Sequence, residues 1–428
     1  MRIPEYILNR VFSKIQGEEL AKLALDLGRI RGPSGCEQEV GEYVYGWMRE
    51  NDLNPMKQVL SEQRFNVIGL IRGKGGGKSL AFNSHLDTAP VFEGEAQAGR
   101  EDYSTYRSWA DGDRLYGLGL MNCRGPMAVW MITAKALRES GLQIGGDVVL
   151  TAVIGEIGLA PVDEYQGPQY LGKGYGTEQA VRFGPAVDYA IVAETTDFGV
   201  AWAECGVLYL RIMVKGKRVY SPRLKEYTDI REHPNAILKM VKLIEAVESW
   251  ARGYETKNVL AFPGGVIRPK VNIGAIRGGF PPWPGMTAET CSIFLSVRLL
   301  PEEGGPRVIQ EIREALSATG IETEISSYCL KKGHIGKDID PLLHAIRESY
   351  EELGHGSLPG VSSEVTSMWR DLNIYNENGI PSVTFGPKRY TDEQITPRYG
   401  IKYLVKEDLV KAAQIYAMAA LKICGWTE

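Results

Sequence analysis

Apolar positions recur along the chain in two rhythms. Near the start the spacing is helical, at residues 19–27 and again at 37–51, with a Gly32-Pro33-Ser34-Gly35 break between. Short, nearly continuous apolar runs then appear at residues 65–71, 80–83, 147–154, 189–193 and 382–385. Between them the helical rhythm returns, at 126–141 with Met127, Trp130, Ala134 and Leu137 on one face, at 341–353 and at 406–421. Strands apolar at every position, alternating with helices, predict a mostly parallel sheet with helices on both faces. From about residue 206 the order changes to strand 207–214, helix 235–251, strands 271–276 and 290–299, helix 306–318 and strand 322–326. That is the β-α-β-β-α-β order of a ferredoxin-like unit. The predicted fold is therefore α/β, with a main domain of residues 1–206 and 327–428 and an inserted ferredoxin-like α+β domain at 207–326.

One glycine-rich turn needs separate treatment. Gly73-Lys74-Gly75-Gly76-Gly77-Lys78 looks like a phosphate-binding loop, but Arg72 stands where the first glycine is required and no helix pattern follows Ser79. A hairpin joining the strands on either side is the expectation.

Composition narrows the function. The chain has 428 residues, enough for two to three domains, and 49 Lys+Arg against 53 Asp+Glu leave a net charge of −4. Without a basic surplus or basic run there is no footprint for nucleic acid or an anionic membrane. No stretch approaches 18 apolar residues and the start lacks a signal-peptide pattern, so a cytoplasmic protein is expected. The six cysteines are scattered without a CxxC pair, which predicts reduced thiols. Histidine is scarce, with five in all.

His85 is the most informative of them. It lies in Ser84-His85-Leu86-Asp87-Thr88-Ala89-Pro90 at the end of an apolar strand, where imidazole can ligate a metal and the Asp87 carboxylate can accept the other ring N–H. Alone, the pattern equally fits a hydrogen-bonded turn histidine. Asn122, Glu156 and Glu194 also follow strands or glycine turns, which puts them on the rim where parallel sheets bind ligands. The competing reading makes both glutamates solvated strand ends.

The stretches S-H-L-D-T-A-P, D-R-L-Y-G-L-G, A-E-T-T, V-K-G-K-R-V-Y-S, V-N-I-G-A-I-R-G-G and R-D-L-N-I-Y-N-E-N-G-I-P-S-V-T-F-G-P resemble the di-zinc exopeptidase and deacylase family. That family includes acetylornithine deacetylase, succinyl-diaminopimelate desuccinylase, glutamate carboxypeptidase and peptidase T. The resemblance implies that His85 and Glu194 hold a first metal, with Asn122 where a bridging aspartate belongs. Aligned without a gap, Glu156 falls on the general base and Ile157 on a ligand of the second metal; shifted by one, Glu156 becomes the ligand and Gly155 replaces the base. The family's last metal-binding histidine should lie between Gly386 and Tyr403, where Ile395-Thr396-Pro397-Arg398 stands instead. One labile divalent ion per subunit (Mn, Zn or Co) is therefore expected, in place of two.

Other positions also carry implied roles. Tyr220 occupies the place of a histidine that stabilises an oxyanion in the partner subunit's site, Arg218 or Arg277 could add charge, and Arg370 lies at a turn that meets the substrate carboxylate. The inserted domain would act as a lid and join a homodimer or larger homo-oligomer. The expected activity is hydrolysis of a C–N bond in a small carboxylate-bearing compound by an aminohydrolase or amidohydrolase, an aromatic amine such as 5-nitroanthranilate being one substrate. An N-acyl amino acid deacylase or a peptidase is the alternative within the family. A non-catalytic small-molecule-binding or scaffold homologue is the alternative outside it.

Overall fold

The computed structural model describes residues 2–89, 108–117, 119–392 and 401–428. Two compact units are present, one formed by Met1–Trp202, Gly336–Val361 and Arg370–Glu428, the other by Ala203–Ile335 and Ser362–Trp369.

The first unit is built on a six-stranded sheet in the order Met56–Ser61, Arg64–Ile71, Val148–Val153, Leu80–His85, Tyr189–Ala193, Ser382–Phe385. The last four are mutually parallel and the first two form an antiparallel margin. Apart from the margin strand Met56–Ser61, both faces are buried, which is why the strands read as continuous apolar runs. Leu80 and Phe82 face one core layer with Trp130, while Ala81 faces the other with Leu372 and Tyr375. Helix Gly125–Glu139 lies between helices Gly17–Arg29 and Lys406–Cys424, so nearly every side chain it carries is buried. Burying a large apolar side chain contributes about 1.5–3 kcal/mol. Trp130 adds an anchor, because its indole N–H donates to Ser84 Oγ at 2.9 Å, one residue before His85.

The glycine-rich turn does not close a hairpin. Arg64–Ile71 and Leu80–His85 do not pair with each other; Val148–Val153 lies between them, antiparallel to the first and parallel to the second. Val148–Val153 is buried at all six positions, and a strand without a polar edge belongs inside a sheet, not beside it.

The second unit is a four-stranded antiparallel sheet in the order Val271–Gly278, Thr290–Leu299, Gly206–Lys215, Thr323–Lys331. Leu208, Leu210, Ile212 and Val214 alternate toward helices Ala236–Lys257 and Gly305–Ser317, packing with Met240, Leu243, Val308 and Ile312. The last strand continues to Lys331, so residues 327–331, expected in the main domain, belong to this sheet. Its sequence there, Ser327-Tyr328-Cys329, is too polar to show the strand by apolar alternation alone. Among the described residues, no helix is long and apolar enough to cross a membrane.

Candidate active site

Parallel strands deliver their carboxyl ends to one rim. His85 closes Leu80–His85, Glu194 follows Ala193 directly, and Glu156 lies three residues beyond Val153. All three are buried. Asn122 and Cys123 come from the turn between Gly119, whose φ of 78° is left-handed, and helix Gly125–Glu139. His85 Nε2 is 2.8 Å from Asn122 Oδ1, 3.2 Å from Glu194 Oε1 and 3.9 Å from Glu156 Oε2.

Asp87 plays a wider part than the sequence indicates. The nearest acceptor for His85 Nδ1 is the main-chain oxygen of Asp87 at 2.8 Å, with the Asp87 carboxylate at 3.4 Å. That carboxylate mainly accepts from the Ser34 hydroxyl at 2.5 Å and from the N–H groups of Glu156 and Ile157, each at 3.0 Å. Burial acts to raise its pKa, but His85 and these donors bring it down to about 2. One residue thus fixes both the imidazole and the turn that carries Glu156.

Four donors are gathered for a cation. His85 nitrogen, Cys123 Sγ and a Glu194 oxygen lie within 4.8 Å of one another, and Asn122 Oδ1 adjoins them. Nitrogen, oxygen and sulfur donors of this kind fit a divalent transition metal. Burial opposes a charged His85, yet Cys123, Asp87 and Glu194 hold its pKa well above the ordinary value, which marks a place that favours positive charge. Cys123 was not singled out by sequence; its one signal there is adjacency to Asn122. Burial pushes its thiol up to about 12, and its sulfur accepts the N–H of His85 at 3.2 Å.

Around this centre stand further buried charges. Burial raises the pKa of Glu156, as do Glu194 and Asp87, while Lys173 and His85 oppose the rise. Lys173 is itself buried. Arg64 and Glu37 form a two-bonded pair (2.6 and 2.9 Å), and Arg64 also donates to the carbonyls of Pro168 and Leu171 in the segment leading to Lys173. Asp371 accepts from Thr177 at 2.6 Å and Asn83 at 3.0 Å; burial and the charge of Glu156 push its carboxyl up to about 7. Arg370, the preceding residue, is 5% exposed, which sets it apart from a surface arginine.

Three implied site residues lie in the second unit. Tyr220 is 48% exposed, Arg218 pairs with Glu289 at 2.8 Å, and Arg277 is on the strand Val271–Gly278. The stretch Ile395-Thr396-Pro397-Arg398 lies outside the described residues.

A profile of peptidase family M20/M25/M40 matches residues 81–422. The chain belongs to this family. It is 24% identical over 306 residues to the N-formyl-4-amino-5-aminomethyl-2-methylpyrimidine deformylase of Bacillus subtilis, an alignment that takes in 69% of this chain and 66% of that one. Among solved M20-like structures, a tripeptidase from Staphylococcus aureus superposes with a TM-score of 0.68 at 14% identity, covering 95% of this chain and 99% of its own. A dinuclear metal-binding M20 peptidase from Bacillus subtilis does so with a TM-score of 0.60 at 18% identity, covering 95% and 98%. These two likenesses establish the M20 fold. A mostly parallel sheet flanked by helices is thus common to this chain and its structural neighbours.

Proposed function

We propose that this M20 member is a metal-dependent hydrolase of C–N bonds that works with one divalent transition-metal ion on a small carboxylate-bearing substrate. The observation that carries the reading is the rim itself, where His85, Glu194, Asn122 and Cys123 gather while Ile157 stands beside Glu156 without a ligating atom. His85, Glu194 and Asn122 would hold the ion, with the Cys123 sulfur in reach. When bound, such an ion supplies Lewis-acid polarisation and acidification of water.

Glu156 is the base. It stands farther from His85 Nε2 than Glu194 does, 3.9 against 3.2 Å, in keeping with a proton carrier and not a ligand. Its raised pKa suits a carboxylate that takes a proton from water and returns it to the leaving nitrogen near neutral pH. Arg370 binds the substrate carboxylate, and Tyr220, with Arg218 or Arg277, serves the developing negative charge in the partner subunit's site.

An aromatic amine such as 5-nitroanthranilate is the proposed substrate. The relative named as a deformylase of an aminopyrimidine supports a move away from peptides within this family. The inserted domain joins a homodimer or larger homo-oligomer, in keeping with exposed Ile237, Val241 and Ile276 on that unit. Six free cysteines fit a cytoplasmic setting.

The test is release of ammonia or amine from a panel of amides, ureas and aminobenzoates by protein loaded with Mn, Zn or Co. Glu156→Gln should lower kcat by about 10²–10⁴-fold with metal content unchanged. No turnover with any divalent metal, or full activity in the variant, would overturn the reading.

A further inference from the structure

The backbone that carries Glu156 is gripped from two directions. On one side Asp87 accepts the N–H groups of Glu156 and Ile157, each at 3.0 Å. On the other, the guanidinium of Arg64 lies against Gly155. A side-chain carbon at that residue would stand 2.8 Å from Arg64 Nη2 and 2.7 Å from the Leu171 carbonyl oxygen, which itself accepts from Arg64 at 2.9 Å. Gly155 also has a φ of 64°, so glycine suits the position on both counts.

Both grips lead back to one turn, Gly32-Pro33-Ser34-Gly35-Cys36-Glu37, the break between helices Gly17–Arg29 and Gln38–Glu50. Its Ser34 hydroxyl donates to Asp87 at 2.5 Å. Its Gly35 N–H donates at 2.9 Å to the Glu37 carboxylate, which also takes both bonds from Arg64. The turn is tied to the rim by Ser34 N–H to the Thr88 carbonyl at 3.2 Å and Thr88 N–H to the Gly32 carbonyl at 2.9 Å. Ser34, Glu37, Arg64 and Asp87 are all buried, and their contacts close a ring that begins and ends at Glu156. Stability alone does not call for such a ring, because well-packed apolar residues often serve as well as a buried ion pair. Position does, since a shift of about 1 Å at a reacting group can cost about 100-fold in rate.

We propose that this turn braces the base: Ser34, acting through Asp87, and the Glu37–Arg64 pair, acting through Gly155, are positioning residues that set the place of Glu156. This rests on the reading of Glu156 as the base.

The test compares wild type with Ser34→Ala, Ser34→Thr and Glu37→Met/Arg64→Met, each also in a Glu156→Gln background. The substrate is the amide, urea or aminobenzoate of the panel that wild type turns over fastest. Ser34→Ala and the double change should lower kcat about 10- to 100-fold at unchanged KM and metal content, and Ser34→Thr, which keeps the hydroxyl, should stay close to wild type. In the Glu156→Gln background the same changes should cost no more than about twofold, because the group they place is gone. In metal-free protein, hydrogen exchange at the amides of Glu156 and Ile157 should quicken in Ser34→Ala, while strand Leu80–His85 keeps its protection. Unchanged kcat, unchanged exchange or equal losses in both backgrounds would overturn this inference alone. No turnover by wild type, or full activity in Glu156→Gln, would overturn the reading of Glu156 and this inference with it.

Discussion

Removing the Glu37 charge should be among the most damaging single changes to the first unit, and for a specific reason. The Arg64–Glu37 side chains are 2% and 0% exposed, joined by bonds of 2.6 and 2.9 Å. In Glu37→Gln the guanidinium stays buried and cannot shed its proton. Breaking one side of a buried pair costs about 3–5 kcal/mol, a large share of a typical stability of about 5–15 kcal/mol. Arg64→Met leaves a different problem. Burial and the charge of Asp87 already raise the pKa of Glu37, and Arg64 is the group pulling it down, so without Arg64 the carboxyl rises further. A carboxyl whose folded pKa lies above its unfolded value stabilises the fold at low pH and loses that contribution as pH rises through the folded value. The penalty of Arg64→Met should therefore be smaller at pH 5 than at pH 8, whereas that of Glu37→Gln should not grow as pH rises, because the substitution removes the group whose raised pKa favours the fold at low pH. Urea denaturation followed by tryptophan fluorescence at the two pH values measures this, and Glu37→Met/Arg64→Met should cost less than the two single changes added together. A Glu37→Gln penalty below about 1 kcal/mol, or an Arg64→Met penalty flat in pH, would refute the argument.

Asp371 offers a second pH test. Its carboxyl is pushed up to about 7, so its protonated form is favoured in the fold, and metal-free wild type should lose stability as pH rises from about 4 to above 7. Asp371→Asn should flatten that slope and gain on wild type between pH 5 and 8 in thermal melts; parallel curves would count against it. Cobalt-loaded protein should show a thiolate-to-metal charge-transfer band that disappears in Cys123→Ser, and absence of the band in wild type would remove sulfur from the ligand set. Divalent metal at 100 times its Kd should stabilise the protein by about 2.7 kcal/mol. His85→Ala should abolish that shift, and a variant that still melts higher with metal would place the ion elsewhere.

Much of this molecule is legible in its local pattern. The apolar runs at 80–83, 147–154, 189–193 and 382–385 coincide with strands because a strand buried on both faces needs no polar position, and that requirement is written in consecutive residues. Polar side chains that end such runs, His85 and Glu194 among them, reach a common rim for the same reason. Pairing is another matter. Which strand lies beside Arg64–Ile71 depends on a partner 80 or so residues away, and the short glycine turn was a misleading guide to it. The path of Thr323–Lys331 past residue 326 likewise depends on the register offered by Gly206–Lys215. At the site, the sequence by itself determined the residue types on the rim. Only the tertiary structure decided that the main-chain oxygen of Asp87 holds the imidazole and that the Cys123 sulfur lies with His85 and Glu194. Periodicity reports which face of one element meets the core; the surroundings of a charge are set by residues far apart in sequence, and those exist only once the chain has folded.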